Sequence, residues 1–225
     1  MAVLNLRPLI GGRILRGSQP FGMDATATSV FLDHHGIQAV VDLRSGYERA
    51  ISPWHLENHE VDLVENPLDP RLASAGLDAI HTAEDLAELY LGWVRARPDW
   101  VADSLRPVTQ GKRTLIHCSL GKDRTGVVSA VALLASDTAH RDIVADYAAS
   151  TEALPAMLQT MAAAWRLAIP EVPEDAFSPS LMLLQSPGAA MEYFLEGFTR
   201  EFGSAVGFLR DAGLSAAELD SLRGV

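Results

Sequence analysis

Thr114-Leu115-Ile116-His117-Cys118-Ser119-Leu120-Gly121-Lys122-Asp123-Arg124-Thr125-Gly126 opens as a short β-branched and apolar run, the mark of a buried strand. It then passes into Val127-Val128-Ser129-Ala130-Val131-Ala132-Leu133-Leu134-Ala135, which reads as a buried helix. The polar residues therefore fall in a strand-to-helix turn. Only Ser119 to Asp123 separate Cys118 from Arg124, and a loop that short entering a helix turns its backbone N–H groups inward around one point. The helix starting near Arg124 leaves its first amides without intrahelical partners and carries partial positive charge at that end, so an anion gains hydrogen bonds and a favourable dipole together. Ser119, Leu120, Gly121, Lys122, Asp123 and Arg124 are the expected phosphate-binding residues, with the two-point fork of Arg124 and the point charge of Lys122 added to the loop amides. Gly121, lacking Cβ, is expected to let the backbone pass close to bound oxygens. The same field favours the ionised form of a neighbouring thiol, which makes Cys118 the candidate nucleophile.

His-Cys-x-x-Gly-Lys-Asp-Arg-Thr-Gly, residues 117–126, resembles the phosphate loop of the cysteine-dependent protein tyrosine phosphatase superfamily. The Lys122-Asp123 pair before the arginine is similar to one bacterial branch, tyrosine phosphatases that often also accept phosphoserine, phosphothreonine and phosphoinositides. Residues 40–45 (Val-Val-Asp-Leu-Arg-Ser) with Glu48, and residues 201–204 through 213–219 near the C-terminus, resemble the same branch. The resemblance implies hydrolysis of phosphomonoesters through a phosphocysteine intermediate, without cofactor or metal. A phosphotyrosine protein is the expected substrate. A phosphoinositide or inositol phosphate is the alternative, because Lys122 adds a charge useful for several phosphates. A noncatalytic phosphate-binding module is the remote reading, since a binder has no need of Cys118.

The reaction needs a general acid for the leaving oxygen, and spacing alone does not identify it. Asp123 ranks first on the resemblance, Asp42 second as the end of a strand beside the loop, and Asp69 third in a loop of the kind that carries the acid elsewhere. The resemblance also gives the Thr125 hydroxyl a role as donor to the departing sulfur. His117 is expected to anchor the loop. Glu48 is read equally as a partner of Arg44 or Arg124 and as a surface carboxylate. His55 and His59 stand four apart, but His-Leu-Glu-Asn-His is not a zinc motif and no spare cysteine exists, so no metal is expected.

At 225 residues with 48% hydrophobic content, one domain over 1–225 has ample material for a core. The single cysteine precludes an internal disulfide and suits a reducing cytoplasm, though it is no bar to export. No signal peptide is visible and the longest nearly apolar run, Val127 to Ala135, is far shorter than the roughly 20 residues of a membrane span, so a soluble, cytoplasmic protein is expected. Net charge of −11 argues against nucleic acid and anionic membranes, so the positive potential must be local.

Residues 3–16 read as a hairpin around Gly11-Gly12, with Pro8 keeping its first segment at a sheet edge. Asp24 or Thr26 caps a helix to His35 ahead of Gly36; Ile37–Leu43 and Val61–Val64 read as strands. Residues 67–81 read as loop. Helices are expected from Thr82 to about Arg97, Asp99 to Leu105, Ala139 to Ala149, Glu152 to Leu167, Gly188 to Ala212 with a break near Gly203, and Ser215 to Leu222. Strands interleaved with helices imply an α/β fold, a small central mixed, mainly parallel sheet flanked by helices. Trp93, Trp100, Trp165 and Phe194 are read as core, and Tyr47 and Trp54 as residues of a loop near the site.

Overall fold

The computed structural model describes residues 2–57, 59–69, 79–171 and 173–223. In chain order the elements are β1 (Ala2–Val3), β2 (Arg7–Leu9), β3 (Ile14–Gly17), β4 (Pro20–Phe21), α1 (Ala25–His35), β5 (Ala39–Asp42), α2 (Gly46–Ile51), β6 (Asp62–Glu65), α3 (Ala83–Ala96) and α4 (Pro98–Thr109). They continue with β7 (Thr114–His117), α5 (Asp123–Ala135), α6 (His140–Ala148), α7 (Ser150–Ala168), α8 (Gly188–Phe202), α9 (Ala205–Asp211) and α10 (Ala216–Arg223).

The main sheet runs β2-β3-β7-β5-β6, antiparallel only between β2 and β3 and parallel elsewhere. It is the mixed, mainly parallel sheet the interleaved pattern predicts, and Pro8 sits on the edge strand β2, where its missing N–H costs no ladder bond. β3, β5 and β7 are buried throughout because helices cover both faces. Their side chains alternate between two cores. Ile14, Val41 and Ile116 join the larger one with α3, α4, α5 and α8, while Leu15, Val40 and Leu115 join Leu32 and Ile37 on the α1 face. The register aligns Gly17, His117 and Asp42 across β3, β7 and β5, so these three strands end at one level. α5, which follows β7, is buried on nearly every side.

Local chemistry accounts for the boundaries. Asp24 accepts the Ala27 N–H at 2.8 Å to cap α1, and Gly36 ends it at φ +60°. Thr82 and Asp85 form a capping box on α3. Pro98 does end α3, but it also occupies the first turn of α4, which extends to Thr109 rather than Leu105. The predicted break near Gly203 separates α8 from α9, and the Ser215/Glu218 capping box precedes α10. The helix α2 was not predicted, and it takes Tyr47 out of the expected loop and onto a short helix. The loop expected over 67–81 lies largely outside the described residues. No described helix is long and apolar enough to cross a membrane.

Candidate active site

The turn from β7 into α5 is held from behind by its carbonyls. Gln19 N–H donates to Ser119 O at 3.1 Å, Asn5 Nδ2 donates to Leu120 O and Gly121 O at 3.1 and 3.2 Å, and Arg16 Nη2 donates to Gly121 O at 2.8 Å. The His117 ring bonds the Cys118 carbonyl at 3.1 Å. Because a trans peptide is planar with its C=O and N–H opposed, pulling these oxygens outward aims the following amides inward. The loop is thus an anion cradle at the N-terminus of α5. Arg16 is fully buried and is itself fixed by Asp146, which also receives Arg7. Sequence reasoning missed Asn5 and Arg16, because their partners lie more than a hundred positions away.

Gly121 is needed at this turn for a reason different from the one expected. Its φ is +65°, and a Cβ there would stand 2.2 Å from Gly17 O, so the missing side chain permits close approach to β3 behind the loop rather than to the bound anion.

A cleft of about 490 Å³ opens over the loop. Cys118, Ser119, Leu120, Asp123 and Arg124 form its floor, with Ser45 and Glu48 at one side and Trp93, Trp165 and Leu184 among its apolar walls. Trp93 and Trp165 therefore line the site instead of serving only the core; Trp165 also meets the exposed Tyr47 ring at 5.7 Å. Trp54 does not line the cleft. It is buried and donates Nε1–H to His117 Nε2 at 2.8 Å, which makes Nδ1 the protonated nitrogen that donates to Cys118 O. Burial pushes the His117 pKa down to about 4, so the ring is neutral at ordinary pH.

Arg124 meets Glu48 through two bonds, Nη1–Oε2 at 2.8 Å and Nη2–Oε1 at 2.6 Å. Burial opposes the charged carboxylate, yet the hydrogen bonds and charge of Arg124, with further donors from Ser119 and Ser45, hold Glu48 well below the usual carboxylate range. Burial likewise opposes the Arg124 charge, and Glu48 more than restores it. Glu48 is thus the partner of Arg124. Arg44 pairs instead with Asp42.

That pairing corrects the second acid candidate. Asp42 is fully buried; Arg44 donates to it through Nε at 2.8 Å, Nη2 at 2.6 Å and its backbone N–H at 3.0 Å. Burial disfavours the charged form, but the nearby His117 and the Arg44 contacts outweigh it and keep the carboxyl below its usual range. A carboxylate so enclosed has no proton to give the cleft. Asp69 is exposed and does not line the cleft, although Leu68 beside it does.

Asp123 does line the cleft. Its Oδ1 accepts from the Tyr90 hydroxyl and lies 2.9 Å from Lys122 Nζ. Lys122 departs from expectation: it is fully buried, and its ammonium also donates to the carbonyls of Leu183, at 2.7 Å, and Gln185. With all three donors taken, it fastens the wall to the loop and has none left to offer a bound anion. Thr125 is buried beside the loop, its Oγ1 without a hydrogen-bond partner among the described residues. No three His, Cys, Asp or Glu side chains among the described residues gather into a possible metal site.

The sequence pattern of the tyrosine phosphatase family matches residues 6–225. The chain belongs to the tyrosine phosphatase family. Within reach of that family it is 33% identical over 129 residues to the triple specificity protein phosphatase PtpB of Mycobacterium tuberculosis, a match covering 51% of this chain and 44% of that protein. It is 28% identical over 213 residues to a putative tyrosine-protein phosphatase of Cupriavidus necator, covering 89% of this chain and 74% of that one. The chain thus spans less than half of the mycobacterial phosphatase. Among solved structures it is similar to the core catalytic domain of the PP-IP phosphatase SIW14 from S. cerevisiae, at 15% identity and a TM-score of 0.44 over 67% of this chain and 77% of that one.

Proposed function

We propose that this tyrosine phosphatase family member hydrolyses phosphotyrosine in proteins, as a single phosphatase domain over residues 1–225 acting in the cytoplasm. The observation that carries the reading is Cys118 and Arg124 together on the floor of a cleft with tryptophan walls, on a loop whose carbonyls are bonded to Asn5, Arg16 and Gln19. The Cys118 sulfur attacks phosphorus, and an S–P bond forms as the P–O bond to the tyrosine breaks. The loop amides and Arg124 hold the equatorial oxygens, where charge is spread in the transition state. Asp123 passes its proton to the leaving oxygen. Water then attacks phosphorus, gives a proton back to Asp123, and the S–P bond breaks; the unpartnered Thr125 hydroxyl donates a hydrogen bond to the departing sulfur. Asp42 serves only to set Arg44 and the ends of the strands.

Among the described residues that line the cleft, Arg124 is the one cation, and its walls are apolar and aromatic. This favours an aryl monophosphate over a phosphoinositide or inositol phosphate, whose further phosphates lose their expected partner once Lys122 is engaged elsewhere. The test is turnover of p-nitrophenyl phosphate, a phosphotyrosine peptide and a phosphoinositide by the wild type and Cys118→Ser. Serine is nearly isosteric and does not ionise near neutral pH, so the variant is expected to keep its fold and bind phosphate while losing turnover. Activity retained by Cys118→Ser would refute the covalent mechanism; preference for the phosphoinositide would reverse the substrate assignment.

A further inference from the structure

Two buried phenols stand in a row behind the acid. The Tyr90 hydroxyl, on α3, donates to Asp123 Oδ1, and the Tyr147 hydroxyl, on α6, lies 2.8 Å from Tyr90 Oη. A phenol has one proton. Since the Tyr90 hydroxyl donates its hydrogen bond to Asp123, Tyr147 must donate its own to Tyr90, and the chain of donors has a single direction toward the carboxylate. Neither tyrosine lines the cleft, and both are almost wholly buried. Burial and the neighbouring Asp123 push both phenols up, so each stays protonated across the working range.

We propose that Tyr90 is a positioning residue for proton delivery: by occupying Asp123 Oδ1 from behind, it restricts the acid's proton to Oδ2 and fixes that oxygen toward the leaving group. The inference rests on Asp123 being the acid. Oδ1 is held by two donors, Tyr90 and Lys122, and a carboxyl oxygen receiving two donors is a poor place for a proton. Lys122 brings charge. Tyr90 brings direction, because its ring is locked between Trp93 at 5.3 Å, Tyr147 at 6.2 Å and Phe194 at 6.3 Å. Of the other charged or titratable groups, Arg124 lies on the same helix as Asp123, Cys118 shares the cleft floor with it, and Arg16 acts on the outer phenol, Tyr147. Tyr90 keeps its own proton throughout; the transferred one leaves Oδ2 for the alcohol oxygen and returns from water.

The experiment compares wild type, Tyr90→Phe, Asp123→Asn and the double variant on aryl phosphates of graded leaving-group pKa. Asp123→Asn is expected to lose on the order of 10²-fold or more with phenyl phosphate and far less with p-nitrophenyl phosphate, whose phenolate leaves without help. Tyr90→Phe is expected to steepen the leaving-group dependence in the same sense by about tenfold, and to add nothing in the Asp123→Asn background. A uniform loss across all leaving groups in Tyr90→Phe, with Asp123→Asn selective, overturns the positioning role and leaves the acid in place. A uniform loss in Asp123→Asn overturns the acid reading itself and the proposal with it. Thermal melting checks the fold, and Tyr147→Phe, which removes only the outer link, is expected to show the same selectivity more weakly should Tyr90→Phe fail to fold.

Discussion

His117 and Gly121 show how much a single residue in the loop is asked to do. His117 is buried, neutral and committed at both nitrogens, to Trp54 on one side and the Cys118 carbonyl on the other. In the unfolded chain an imidazole takes up a proton below about 6.5, whereas in the folded chain this one stays neutral down to about 4. Between those values the unfolded state binds more protons. Stability therefore falls as pH drops through that window, by about 1.4 kcal/mol per unit and on the order of 3 kcal/mol in all. Melting temperatures measured from pH 7 down to pH 4 are expected to fall in the wild type and to fall less steeply in His117→Asn; parallel curves would remove His117 as the cause. The reading of His117 as a loop anchor was available from the sequence, because it precedes the cysteine on a buried strand. Its partner was not, since nothing in the pattern around Trp54 brings that indole across the sheet. Gly121 could be singled out as special, but the neighbour that demands it, the backbone of Gly17, belongs to a strand far earlier in the chain.

Among the elements, α2 carries more of the site than its six residues suggest. Ser45 and Glu48 form a capping box, with Ser45 N–H donating to Glu48 Oε2 at 2.8 Å and Glu48 N–H donating to Ser45 Oγ at 3.3 Å. The same carboxylate grips Arg124, so one side chain fastens the start of α2 to the first turn of α5. Glu48→Gln keeps the shape but loses the charge and half the accepting capacity. It is expected to lower kcat/KM by about ten- to a hundredfold, or about 1.4–2.8 kcal/mol of transition-state stabilisation. Because the folded carboxyl is held below its usual range, the stability the pair contributes is present above about pH 4.3 and is lost as pH falls below it. A variant with wild-type kcat/KM would show that Arg124 needs no such brace. The Ser45-x-x-Glu48 signature was readable, but α2 is too short for helical periodicity and opens on Gly46, so residues 46–51 passed as loop. The long helices were legible from caps and apolar spacing. What escaped was their joint product, the Tyr147–Tyr90–Asp123 row, because contacts between three separate helices leave no local pattern.

For the molecule as a whole, the acidic surface and the cationic cradle pull against each other. Net charge is −11, while the positive groups at the site, Arg124 and the amides of α5, are confined to one cleft. An acidic phosphopeptide must cross the repulsive outer field before the cradle can attract it. Raising salt from about 10 mM to about 1 M shortens the screening length from about 30 Å to about 3 Å, so kcat/KM for an acidic phosphotyrosine peptide is expected to rise severalfold. A lysine-rich peptide of equal length is expected to lose rate over the same range, and a fall for both would overturn the argument. A mixed, mainly parallel sheet was legible in the interleaved strands, but its order was not, because strand pairing over long separations leaves no local pattern. The charge field of the cleft did not, because Lys122 looked like a ligand group until its partners were known. Those partners are main-chain oxygens, those of Leu183 and Gln185, and the fastening is therefore indifferent to which side chains the wall carries. Leu184 is buried in the wall and Leu183 packs against the main core, but neither side chain holds the lysine. The reaction centre is thereby anchored through the path of the main chain, and a change of side chain at either carbonyl leaves the anchoring oxygen itself in place.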